Sequence, residues 1–430
     1  MKKIIIILVI LAILGGGGYY YYQNVYLPAQ KPTLEVEKNS AQISKYYIYG
    51  THLNLEGEIK KINANFEDLD LVMWNAKTGK LKKFEINYKK NVNNVNFNIS
   101  DEINNGIYLD NIAKGNYRLY LRFKYEESKK DSDKKETTYK YYPLDNTTTY
   151  DETTYYTTSK QNKKITISQN KTTMTVKIKD NTDDVYDVVL DPSCGGVDKG
   201  ATGNGVYESD ITLEMANKVK EKLESKDVKV KLTRTEDSLY DSDYFDEYND
   251  GGRAVISHEV KAKYLFSFQA SSSTNPTING FSINTAANIN YDFSAKLVEN
   301  IVTKTNLKTT TSTSHRVDYG IYTHNFTESE IAENMAYYDE RGYKPYNVTT
   351  DSNYLYMIRE SGGIMTGAYV DDSNPEQVGV NKYYNSNVGA EAYIIDLGYL
   401  TNQTDFNAIT QNQDAYAEAI ANTIIEELKY

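Results

Sequence analysis

Residues 186–208 read Y-D-V-V-L-D-P-S-C-G-G-V-D-K-G-A-T-G-N-G-V-Y-E, and this stretch decides the fold. Val188, Val189 and Leu190 form a short apolar run, the pattern of a buried strand, and Asp191-Pro192 ends it. Gly195, Gly196, Gly200, Gly203 and Gly205 make the next segment a loop, and a helix is expected just after Glu208. Strand, glycine loop and helix in that order place a site at the carboxyl edge of an α/β sheet. The loop carries the chain's single cysteine, Cys194, and the acid Glu208.

Downstream, the apolar period alternates between helix and strand. Ile211, Met215, Val219 and Leu223 recur every four residues and mark a helix; Val228, Val230 and Leu232 alternate as a strand. A helix over 252–262, strands at Tyr264–Phe268 and Gly280–Asn284, and a helix through Phe293, Leu297 and Ile301 are expected next. Ala392 to Leu397 reads as a buried strand, and Tyr416, Ile420, Ile424 and Leu428 as the stripe of a last helix. Strands alternating with helices imply an α/β layer architecture over 185–430.

Upstream, residues 45–180 read as an all-β, sandwich-like domain. Leu69–Trp74, Val95–Ile99, Tyr117–Tyr125 and Met174–Ile178 are short strands, separated by turns such as Asn75-Ala76-Lys77-Thr78-Gly79 and by the charged loop 126–136. The Thr/Tyr-rich tract 146–159 is an edge strand or a linker, and His52, in an alternating run, is structural. Residues 23–44, with Pro28 and Pro32, are a linker. Met1-Lys2-Lys3, an apolar run from Ile4 to Leu14, four glycines and four tyrosines make residues 1–22 an expected transmembrane anchor of the cell membrane, with the remaining chain outside. A cleaved signal and a secreted product are the alternative.

The chain has 430 residues, 40% of them hydrophobic, enough for two cores. A net charge of -11 opposes any nucleic-acid partner, and one cysteine excludes an intrachain disulfide. The 41 tyrosines fit either codon bias or surfaces that stack on sugars.

Four segments, in order, resemble the zinc-dependent N-acetylmuramoyl-L-alanine amidases that cut bacterial peptidoglycan. They are the loop 186–208, Val230–Thr235 (V-K-L-T-R-T), Arg253–Gln269 with its closing motif Ser267-Phe268-Gln269-Ala270-Ser271, and Ile395–Asn402 (I-D-L-G-Y-L-T-N). The resemblance implies a mixed six-stranded sheet flanked by helices, with an insertion at about 308–389. It also implies zinc held by a histidine, a glutamate and a second histidine, with a late glutamate as general base. Those positions here are Cys194, Glu208, Gln269 and Asp396.

Catalytic zinc takes about three protein ligands at roughly 2.0–2.3 Å and keeps one position open for water. A thiolate suits zinc, but a neutral amide oxygen is a poor substitute for imidazole, so Cys194 and Glu208 alone are too few and zinc is expected to be absent. Asp396 is one methylene shorter than glutamate, and a general base must come within about 2.6–3.2 Å of its proton. His258 reads as structural; His315 and His324, in the insertion, are the candidates for replacement ligands. Cys194 as a nucleophile has no histidine placed beside it by sequence, and a small residue filling the old ligand space is the plainer role.

Tyr354–Glu360 reads as a strand. Arg359 is a candidate for pairing with a substrate carboxylate, against a surface ion pair, and Asn204 for a substrate contact, against a turn residue. Three functions follow. The first is a membrane-anchored pseudo-amidase that binds peptidoglycan or regulates a true amidase or another wall enzyme. The second is an active amidase with an unusual site, and the third a structural or adhesive surface protein.

Overall fold

Strands and turns dominate from Ala41 to Asp180. The first six strands are β1 (Ala41–Tyr49), β2 (His52–Lys60), β3 (Asp68–Asn75), β4 (Leu81–Glu85), β5 (Asn87–Lys90) and β6 (Asn94–Asn98). The next six are β7 (Ile107–Tyr108), β8 (Gly115–Ser128), β9 (Lys135–Asn146), β10 (Glu152–Tyr156), β11 (Lys163–Asn170) and β12 (Thr173–Asp180). They pair in the order β10-β11-β12-β8-β9-β1-β2-β6-β5, with β3 beside β8 and β4 beside β3. β9 joins two layers: it runs antiparallel to β8 and, at Leu144–Asn146, parallel to β1. Ile43, Leu55 and Phe97 from one layer and Leu71, Leu121 and Ile167 from the other share one core. The β structure begins at Ala41, four residues earlier than expected, because Ala41 and Ile43 are buried in that core.

This computed structural model describes residues 32–99, 106–128, 135–146, 152–170, 173–238, 247–287, 289–345, 347–367, 377–378, 381–383 and 388–430. The expected anchor, 1–22, and the first part of the linker lie outside them. Among the described residues no helix is long and apolar enough to cross a membrane.

The second half opens with β13 (Val188–Pro192), the small pair β14 (Thr202–Gly203) and β15 (Val206–Tyr207), and α1 (Glu208–Glu224). β16 (Val230–Leu232), α2 (Ile256–Glu259), β17 (Tyr264–Ser271), β18 (Ser282–Thr285) and α3 (Asp292–Thr305) follow. The insertion holds β19 (Arg316–Asp318), β20 (Ile321–Thr323), α4 (Glu328–Glu340), β21 (Lys344–Pro345), α5 (Tyr356–Ser361), β22 (Gln377–Val378) and β23 (Val388–Gly389). β24 (Glu391–Tyr399), α6 (Gln403–Thr410) and α7 (Gln413–Leu428) complete the chain.

The sheet order is β16-β13-β17-β24-β18-β20-β19. The first four strands are mutually parallel and β18 runs against β24, so the sheet is mixed as expected. It has seven strands rather than six; the addition is β19, three exposed residues on the edge. Leu190, Phe266 and Ile395 pack on one face against Met215, Leu297 and Ile420 of α1, α3 and α7. Val189, Leu265 and Ile394 pack on the other against Ile256, Met357 and Ile358. Burial of adjacent Met357 and Ile358 on that face is helical, not alternating, which corrects the expected strand at 354–360. The helix expected over 252–262 is confined to Ile256–Glu259.

The β domain docks on the amino edge of this sheet. Asp187, just ahead of β13, accepts hydrogen bonds from Ser159 N, Ser159 Oγ, Lys229 N and Tyr430 OH. Glu391, at the start of β24, meets His52 Nδ1 at 2.7 Å, so His52 is a buried structural partner as expected. β23 adds to β1, and Tyr49 OH accepts from Ala392 N. Buried Lys263 lies 5.0 Å from the Tyr155 ring; burial draws its ammonium down to about 8, and burial pushes the nearby Asp110 carboxyl up to about 6.

Candidate functional site

The opposite, carboxyl edge gathers the four expected site positions. Cys194 follows β13, Gln269 lies near the end of β17, and Asp396 pairs with Gln269 in register on β24. Glu208 opens α1 across the glycine loop. Gly200 shows how close the loop lies: a Cβ there would fall 2.4 Å from Glu208 Oε2 and 2.6 Å from Cys194 Sγ. Its φ of +65° is the left-handed conformation that glycine adopts freely.

The Glu208 carboxylate is held by the protein itself. Ser193 Oγ (2.7 Å) and Ala270 N (3.1 Å) donate to Oε1, and Ala201 N (2.9 Å) donates to Oε2. Asp396 accepts from Ser271 Oγ at 2.5 Å and Gly398 N at 3.1 Å. Burial pushes its carboxyl up to about 7, and the Glu208 and Asp405 carboxylates add to the rise against those two donors. Cys194 is half-buried with φ +59°; burial, then the Glu208 and Asp198 carboxylates, push its thiol up to about 12. Gln269 contributes an uncharged amide. Among the described residues no group of three His, Cys, Asp or Glu is placed to hold a metal ion.

The other histidines are engaged elsewhere. The His315 and His324 rings stack at 3.6 Å, and His324 Nε2 lies 2.9 Å from Glu330. His258 lies 2.7 Å from the Glu360 carbonyl, a structural contact as expected. Arg359 is not placed as a substrate clamp. It is buried, with its guanidinium on Glu360 and on the carbonyls of Asn353 and Tyr354. Asn204, at φ +50°, is exposed and ties the glycine loop to Leu400 O at 2.8 Å.

Two arginines, Arg234 buried and Arg253 largely so, frame the site, and the sequence reading gave neither a role. Arg234 donates to the carbonyls of Pro192, Ser193 and Ser209 and so clips the loop to α1. Arg253 makes a forked pair with Asp191, whose carboxylate also accepts from Thr233 and Ser267. Burial alone would raise the Asp191 carboxyl, but Arg253 and these donors hold it below the ordinary carboxylate value. The only signal in the sequence was an arginine just after a strand and another ahead of one.

A thiol pushed up to about 12 is almost wholly protonated at pH 8. Iodoacetamide is therefore expected to alkylate Cys194 at least about a hundredfold more slowly than a free cysteine. Gly200→Ala, which forces the loop away from that sulfur, should speed the reaction. Mass spectrometry reads both rates; fast labelling of the native chain would contradict this geometry.

Among relatives, AmiA of Salmonella typhimurium, an N-acetylmuramoyl-L-alanine amidase, is 36% identical over 100 residues, which is 22% of this chain and 31% of that protein. An endolysin of Bacillus phage SPP1 is 49% identical over 55 residues, 13% of this chain and 20% of that protein. The chain thus spans under a third of the length of these relatives. The catalytic domain of CwlV, an N-acetylmuramoyl-L-alanine amidase from Bacillus (Paenibacillus) polymyxa var. colistinus, superposes with a TM-score of 0.37 at 21% identity, covering 57% of this chain and 99% of that domain. The N-acetylmuramoyl-L-alanine amidase family matches residues 188–426, more than half of the 430, and the chain belongs to that family.

Proposed function

We propose that this protein binds peptidoglycan in the amidase groove without hydrolysing it, and acts as a wall-binding or regulatory partner of a true amidase or another wall enzyme. Residues 1–22 would hold it at the outer face of the cell membrane. One observation carries the reading: the strand position that pairs with Asp396, where the resemblance expects the second imidazole, holds Gln269, which offers beside Cys194 and Glu208 only an uncharged amide. That donor set does not fit zinc, which takes anionic sulfur or oxygen and imidazole nitrogen.

A second reading, an active amidase with a rebuilt site, is favoured by Asp396, whose carboxyl near 7 is suited to a general base. Elemental analysis of the purified chain, combined with sedimentation on insoluble peptidoglycan and assay of released wall peptides, tests the two. Co-sedimentation with neither retained zinc nor peptide release is expected. Release of peptides would overturn the first reading in favour of the second, and failure to co-sediment would overturn both in favour of a structural or adhesive role.

A further inference from the structure

The end of the β domain where the chain enters it is strongly basic, on a molecule whose net charge is -11. Pro32 packs on the turn between β3 and β4: a Cβ on Gly79 would fall 2.8 Å from the proline's own Cβ. Leu34 lies against Val72, Trp74 and Tyr120, and Glu37 N donates to Tyr141 O. Residues 32–37 therefore run as a strap along the outer face of the layer that holds β3 and β8. The turn and the start of β4, residues 75–83, carry four lysines and no acid. Ala76 N donates to Asn116 O, which sets Lys114 and Arg118 beside the turn, and Asn116 pairs in register with Lys177 of β12.

This charge is not cancelled within the fold. Lys77, Lys80, Lys83 and Lys177 are exposed and form no ion pair among the described residues. The acids of these segments are Asp180, ion-paired with Lys114, and Glu35 and Glu37 on the strap, the second 4.0 Å from Lys140. The cations crowd one another: burial, then the Lys114 and Lys82 charges, draw the Lys163 ammonium down against the pull of Asp110. They spread over three segments instead of converging on a point, so they suit an extended anionic surface and not one small anion. We infer that this end of the β domain lies on the membrane and binds anionic phospholipid headgroups. Chain length selects the bilayer among polyanions: residues 23–31 span at most about 30–35 Å between the proposed anchor and Pro32. The choice of a bilayer rests on the anchor in the proposed function; the unpaired charge does not.

The chain's only tryptophan, Trp74, lies beneath the patch with Arg118 5.9 Å over its ring, and supplies a built-in fluorescent donor. The full chain is reconstituted into vesicles of phosphatidylcholine, alone or mixed with phosphatidylglycerol, that carry a dansyl headgroup as acceptor. Energy transfer from Trp74 is expected to be high on the mixed vesicles alone and to fall in high salt. A cation near an anionic leaflet gains about fivefold, so Lys77→Gln with Lys80→Gln and Lys83→Gln should lower the docked-to-free ratio about a hundredfold. Transfer then drops to the neutral-vesicle level, and the thermal midpoint stays put because all three side chains are exposed. Equal transfer on both kinds of vesicle, or native transfer in the triple variant, would refute the inference. Abolition of transfer by soluble poly(glycerol phosphate), at a small fraction of the vesicle phosphate, would reassign the surface to a wall polymer. Failure of the anchor shows separately, as chain that does not float with phosphatidylcholine vesicles while its charge-dependent binding to mixed vesicles persists.

Discussion

Cys194→His combined with Gln269→His is expected to give a chain that retains about one zinc through dialysis, where the native chain retains none. The four positions form two adjacent pairs: Gln269 and Asp396 are register partners, and Cys194 and Glu208 close on Gly200. The two substitutions supply the imidazoles that neither pair contains. Structural zinc sites are worth roughly 10–16 kcal/mol over four ligands, so about 3 kcal/mol per ligand, and two imidazoles should tighten binding by about 10⁴-fold. Glu208 must give up part of its hold on Ala201 or Ser193, which trims the gain. Adding Asp396→Glu restores the reach of the base and is expected to produce measurable release of wall peptides. Native protein that keeps one zinc per chain would sink the premise.

Asp191→Ala is expected to cost about 3–5 kcal/mol, because it takes the forked partner from the largely buried Arg253 guanidinium and leaves only Glu247 at 3.8 Å. For a chain of this size that is roughly a 3–6 °C fall in melting temperature. Asp191→Asn, which keeps much of the shape and some hydrogen bonds, should cost less. The sign with pH follows from the depressed carboxyl: its stabilisation is present above about pH 4 and is lost as pH falls through the lower folded value. Denaturant titrations at pH 7 and pH 3 should therefore show the native and Asp191→Asn chains converging in acid. A loss under about 1 kcal/mol for the alanine variant would refute the role assigned to the pair.

Much of the amidase half was legible because its signals are local. A run of Val188 to Leu190 before clustered glycines, and a four-residue stripe through Tyr416 to Leu428, need no distant partner to be read. The four site positions were legible only through the motif resemblance, since Cys194 and Asp396 are far apart in sequence and no period joins them. What escaped was set by contacts across the chain. Asp191 and Arg253 are 62 residues apart, α5 is helical because Met357 and Ile358 meet Ile394, and Arg359 turned inward to carbonyls that no pattern announces.

The seam between the halves has its own consequence. Its groups are polar and meet across the boundary: His52 with Glu391, Ser159 with Asp187 and Tyr430, and Lys263 over the Tyr155 ring. Pulling the halves apart would break these contacts and expose Tyr47 and Tyr49, which pack in one apolar cluster with Ala390 and Ala392, a cost of several kcal/mol. The two cores should therefore melt as one calorimetric transition, and a fragment cut near residue 185 should be markedly less stable than the same residues within the intact chain.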